Sequence, residues 1–139
     1  MTPHFSLAEL THTDHRTLDN TPDSAALANL HRLAEFLEQV REVLGGRPIM
    51  VNSAYRSAEI NAACGGRETS QHLVGCAADI RVPGMTPDAV VRAVMASGLA
   101  YDQLIRELTW THISIPSTPA ALPRRVALII DRQGARAFV

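Results

Sequence analysis

One long apolar stripe limits what this chain can fold into. From Ser24 to Leu44, the residues Leu27, Leu30, Ala34, Leu37 and Leu44 recur at spacings of three, four and seven, which places them on one helix face. Gly45-Gly46 ends the pattern and Pro48 bars its resumption. The rest of the chain is cut into short pieces by glycine, proline and polar runs. Ser6 and Glu9 near the start have the spacing of a capping box. Ile49 to Ser53 and Ala77 to Val82 read as strands, with a short helix from Ser57 to Ala63 between them and a polar loop from Arg67 to Gly75. Thr86 and Pro87 open another helix as N-cap and first helical residue, with Val90, Val91, Val94 and Met95 on its apolar face and Gly98 at its close. Gln103 to Glu107 and Trp110 to Ile115 are two strands joined tightly. Pro116 to Pro123 is a linker, Val126 to Asp131 an apolar strand, and Arg132-Gln133-Gly134 a turn into a last strand from Ala135 to Val139.

Two or three helices with four or five strands predict an α+β domain, a small antiparallel sheet with the helices packed on it. At 139 residues the chain is expected to be one domain over 1–139, with 116–139 as a C-terminal strand extension. A 46% hydrophobic content with a formal charge of −1 excludes disorder as the main state. The near-neutral charge and 4% aromatic content argue against a nucleic-acid partner. No window approaches the ~18 apolar residues of a membrane span, so no membrane insertion is expected. The start, Met1-Thr2-Pro3-His4-Phe5, has no secretory signal pattern, which predicts cytoplasmic synthesis and another route for any work outside the cell. A monomer is the expected state.

Two short segments carry the chemistry. In Ser70-Gln71-His72-Leu73-Val74-Gly75-Cys76-Ala77-Ala78-Asp79, a loop histidine precedes a strand carboxylate by seven residues, with a glycine between them that permits a sharp turn. Strand alternation puts Ala78, Ile80 and Val82 on one face and Ala77, Asp79 and Arg81 on the other. In Trp110-Thr111-His112-Ile113-Ser114-Ile115, His112 likewise lies opposite Ile113 and Ile115. Two imidazoles and one carboxylate are a common ligand set for catalytic zinc, with a fourth position left for water. Such a site needs a general base, and Glu107, five residues before His112, is the best-placed carboxylate. The metal site is expected at one edge of the sheet.

Ser70-x-His72-x-x-Gly75-x-Ala77-x-Asp79 followed by Trp110-x-His112 resembles the zinc D-Ala-D-Ala carboxypeptidase family of peptidoglycan peptidases. Ser53-Ala54-Tyr55-Arg56-Ser57 resembles that family's arginine motif, and Gln103-Leu104-Ile105-x-Glu107 its last strand before the metal histidine. The resemblance runs from about Phe5 to Ser114. It implies that His72, Asp79 and His112 bind Zn2+, that Arg56 steadies the substrate or the oxyanion, that Ser70 helps hold the substrate, and that Glu107 is the base. Several relatives place a glutamate three residues before the metal histidine, where this chain has Thr109; others use the position five before it, here Glu107. The implied activity is hydrolysis of amide bonds in peptidoglycan stem peptides or cross-links, as a carboxypeptidase or an endopeptidase. A phage or prophage lysis or tail role fits such a chain, and an unexported bacterial domain excised from a longer context fits it equally.

Two other readings compete. One is a non-catalytic module on a degenerate peptidase fold that docks cell wall or a partner protein. The other is a structural zinc site that uses Cys76, with Cys64 brought to it. The two cysteines read as free thiols, with one bridge as the alternative. His4, His12, His15 and His31 lack partners at ligand spacing; His12 and His15 read as polar surface, and His31 as the boundary of an amphipathic helix.

Overall fold

Helix ends in the computed structural model, which describes residues 1–139, fall where side chains can satisfy them. At the head of α1 (Leu7–Leu10) the capping box forms: Glu9 N donates to Ser6 Oγ at 3.1 Å, and Ser6 N to Glu9 Oε1 at 3.3 Å. Asp23 caps α2 (Ser24–Val43), Ser57 caps α3 (Ala58–Ala63) and Thr86 caps α4 (Pro87–Ser97). Each such cap is worth about 1 kcal/mol. The stripe of α2 is the core: Leu30, Leu33, Ala34, Leu37 and Val40 are wholly buried. On α4, Val90, Val91 and Val94 are buried, whereas Met95 lies past the margin of the stripe and is exposed.

Six strands form one sheet: β1 (Met50–Ser53), β2 (Ala77–Arg81), β3 (Gln103–Arg106), β4 (Thr111–Ser114), β5 (Val126–Asp131) and β6 (Gly134–Ala137). Their order is β1-β2-β4-β3-β5-β6. Every pairing is antiparallel except β3 with β5, where Gln103 to Arg106 run parallel beside Val126 to Ile129.

The sheet is therefore larger than the small antiparallel one expected. The reason lies in β4, whose two edges are already taken by β2 and β3. That leaves the outer edges of β1 and β3, and the chain extends the sheet beyond β3. Because β4 ends level with the start of β3, a linker that steps across lands there, and β5 runs parallel to β3. The helices number four because α1 and α3 are pieces of four and six residues.

The two faces of the sheet differ. Ala78, Ile80, Leu104 and Ile113 enter a hydrophobic cluster with the stripes of α2 and α4. Each buried Leu or Ile stabilises the fold by roughly 1.5–3 kcal/mol. On the opposite face, Ser53, Asp79, His112, Ile105 and Leu128 are successive register partners across the strands. A slip of one residue would turn Asp79 into the core, so the apolar pattern fixes the register of the polar face. No helix is long and apolar enough to cross a membrane.

Candidate metal centre

Register alone brings Asp79 and His112 side by side, because they are paired residues on β2 and β4. These are the second and third strands of six, so the group sits within the sheet, whereas the sequence reading places it at one edge. Paired residues need neighbouring strands, and here each has a further neighbour, β1 beyond β2 and β3 beyond β4.

His72 arrives from a single 3-10 turn, Gln71–Val74, inside the stretch read as a loop. Ser70 starts this turn, its hydroxyl accepting from His72 N at 3.2 Å. Gly75 ends it in the left-handed region at φ 78. A Cβ at Gly75 would lie 2.8 Å from the Ala26 carbonyl oxygen, so the glycine lets the turn press against α2.

The three predicted ligands converge. His72, Asp79 and His112 are all buried, and one donor atom from each lies within 4.8 Å of the others. His72 Nε2 is 3.4 Å from Asp79 Oδ1, and His112 Nδ1 is 3.2 Å from the same oxygen. The two rings meet edge to face with centroids 5.1 Å apart.

The hydrogen bonds reveal what the group lacks. His72 Nδ1 is 2.6 Å from the Ala54 carbonyl, which can only accept, so Nδ1 carries the proton. Burial lowers the pKa of His72, with the neighbouring Asp79 opposing it, and the ring stays neutral. Its Nε2 is then a bare acceptor facing a carboxylate. Burial tends to raise the Asp79 pKa, but the hydrogen bond with His112 leads the contacts that outweigh it and hold the carboxyl below the usual range. Arg56 Nη2 donates to its other oxygen at 2.8 Å. His112 Nε2 is buried without any partner. An acceptor packed against an anion, beside an orphaned ring nitrogen, is relieved by a cation. The donor set therefore fits a metal ion.

Around this group stand the other predicted residues. Glu107 follows β3, and its Oε2 accepts from the Trp110 indole N–H at 2.8 Å. Burial pushes the Glu107 carboxyl up, and the charge of Asp79 adds to that rise. Arg56 is half-buried, with Nε bonded to Ser53 Oγ at 2.9 Å. Trp110 also lines a cavity of about 330 Å³ with Met50, Arg81 and Met85. Arg81 Nη2 reaches Thr109 Oγ1 at 2.9 Å, so Thr109, the alternative position for a base, is a hydroxyl held by an arginine.

Cys76 lies in the core cluster, and burial raises its thiol pKa. Cys64 is exposed, and both are free thiols, so neither joins the metal group. His4 pairs with Glu38 at 2.7 Å and His12 with Asp14 at 3.4 Å; His15 and His31 are exposed.

Three residues linked to the His72 turn were not singled out from sequence. Asp102 is a buried carboxylate held by Arg124 and by the Gln71 side chain. No short-range signal links them: Arg124 lies 22 positions after Asp102, and Gln71 lies 31 before it.

Residues 3–114 match the family described as peptidase M15. A zinc D-Ala-D-Ala carboxypeptidase from Streptomyces albus G is 39% identical to the chain over 59 residues. That stretch is 41% of this chain, and the chain spans 23% of the length of that relative.

Proposed function

Since the chain belongs to the peptidase M15 family, we propose that it is a zinc-dependent peptidase hydrolysing amide bonds in peptidoglycan stem peptides or cross-links. One observation carries the reading: the neutral His72 Nε2 faces the Asp79 carboxylate at 3.4 Å beside the orphaned His112 Nε2. His72, Asp79 and His112 hold the zinc. When bound, zinc supplies Lewis-acid polarisation of the scissile carbonyl and acidification of a water.

The chain's own residues do the rest. Glu107 takes a proton from the attacking water and delivers one to the leaving amine nitrogen. Its raised pKa suits a group that must be base first and acid second near neutral pH. The Trp110 indole holds one carboxylate oxygen and so aims the other. Arg56 fixes the Asp79 orientation and offers a permanent cation to the substrate or its oxyanion. Ser70, half-exposed beside His72, helps hold the substrate. The name of the Streptomyces relative points to a terminal D-Ala-D-Ala bond, and a cross-link endopeptidase is the other form of the same chemistry.

The test is to incubate the zinc-loaded protein with purified peptidoglycan and weigh what is released by mass spectrometry. Free D-alanine or trimmed stem peptides are expected from a carboxypeptidase, and separated stem peptides from an endopeptidase. No released fragment from fully loaded protein would overturn the peptidase reading in favour of a binding module.

A further inference from the structure

We propose that Asp102 and Arg124 form a clamp that positions His72 through Gln71, which makes the segment from Ile115 to Arg124 part of the support of the metal centre. The inference rests on the zinc reading above. Residues 115–124 lie outside the stretch that matches the family.

Asp102 is 3% exposed, at the head of β3. An unpaired carboxylate at that depth would cost several kcal/mol. Arg124 removes the problem with three bonds: Nη2 to Oδ2 at 2.7 Å, Nε to Oδ2 at 3.0 Å, and the main-chain N to Oδ1 at 2.8 Å. The main chain of Asp102 is tied as well, its N to Ser114 O at 2.8 Å and its O to Val126 N at 3.0 Å. Arg125, between these anchors, has φ 52, a left-handed conformation that costs about 1 kcal/mol or more in a non-glycine residue. Bonds on both sides hold it there, and its own Nη1 reaches Leu99 O at 3.1 Å.

The clamp does more than close the sheet. Asp102 Oδ2 also accepts from Gln71 Nε2 at 3.1 Å. The same nitrogen lies 2.9 Å from Ile115 O and 3.1 Å from Ser117 Oγ. Three oxygens around one amide nitrogen fix which way the amide points. Gln71 Oε1 is buried and has no partner, so the orientation of the side chain depends on Nε2 alone. Gln71 is the first residue of the turn that carries His72, and its carbonyl accepts from Cys76 N at 3.0 Å. Joining β5 to the sheet needs no contact with Gln71. The amide is the part that carries the hold of Arg124 to a metal ligand.

Zinc affinity is the readout, measured by chelator competition on protein shown by circular dichroism to be fully folded. Arg124→Ala is expected to weaken zinc binding on the order of tenfold, in the range seen when groups that orient metal ligands are removed. Arg124→Lys, which keeps the charge but not the fork, is expected to fall between it and the parent. Arg106→Ala is the control: it breaks ion pairs with Asp88 at 2.9 Å and Asp131 at 3.7 Å and touches none of the clamp. It is expected to leave zinc affinity unchanged. With Co2+ in place of zinc, the visible absorption bands should shift in the Arg124 variant and not in the Arg106 variant. If Arg124→Ala does not fold, Arg124→Lys carries the same comparison.

Equal losses in the Arg124 and Arg106 variants would mean general destabilisation and would overturn the clamp. Parental affinity in Arg124→Ala, with binding abolished in His72→Ala, would remove the clamp and leave the metal centre. Parental affinity in His72→Ala would remove both.

Discussion

Glu107 is the residue at which metal binding and turnover should separate. It stands apart from the three clustered donors, and its carboxylate is engaged by Trp110. Glu107→Gln preserves the shape and the indole bond but cannot carry a proton. It should bind zinc as the parent does and lose peptidoglycan hydrolysis by roughly 10²–10⁴-fold, the usual worth of a positioned acid/base. Zinc titration and fragment release on the same preparation check this, and parental turnover would place the base elsewhere. At this scale much was readable from sequence. Strand alternation set Asp79 and His112 opposite the apolar residues, and both lie on the face away from the core. Asp102 and Arg124 were unreadable for the converse reason. An acid at the head of a strand and an arginine after a proline-containing linker look like solvated charges until the fold buries one against the other.

The element that matters most is the 3-10 turn, which the polar composition of residues 67–75 disguised as a loop. Four residues give no periodicity, so only Ser70 at its head and Gly75 at its end marked it. Gly75 is the sensitive point. Alanine there would meet a left-handed φ of 78, the Ala26 carbonyl oxygen at 2.8 Å and Leu30 Cγ at 3.1 Å. The strain and the clash together should cost roughly 1–3 kcal/mol. Urea unfolding of metal-free Gly75→Ala checks this, and a midpoint equal to the parent's would show that the turn does not depend on the glycine. Helix ends were the easiest elements to read, because a cap needs only the residues within three positions of it. Strand order was hidden, since β5 pairs with β3 across the whole of β4 and the linker.

Across the whole molecule, acid should loosen the C-terminal part of the sheet. Asp131 closes the β5–β6 hairpin, accepting from Arg136 Nη1 at 2.9 Å and Nη2 at 3.0 Å. The arginine, helped by the Gln133 N–H, brings its pKa to about 2 from 3.8. Burial tends to raise the pKa of Asp102, but bonds from Arg124 and Gln71 lower it overall. A carboxyl whose folded pKa is depressed stabilises the fold fully above 3.8 and loses that contribution as pH falls through its folded value. The urea midpoint of metal-free protein should therefore drop between pH 3.8 and about 2, and Asp131→Asn should flatten part of the drop. Identical pH slopes in the two proteins would assign the acid sensitivity to other groups. The sequence by itself determined the α+β class, the capped helices, the buried stripe, and the choice of His72, Asp79 and His112 as candidate metal donors, because each depends on residue type and spacing over a few turns. Tertiary structure alone decided that the sheet has six strands with one parallel pair, that the donors lie within it, and that Arg124 reaches back to Gln71. Those outcomes depend on which strand edges are left free and which partner a buried charge meets, and neither is fixed until the chain has packed.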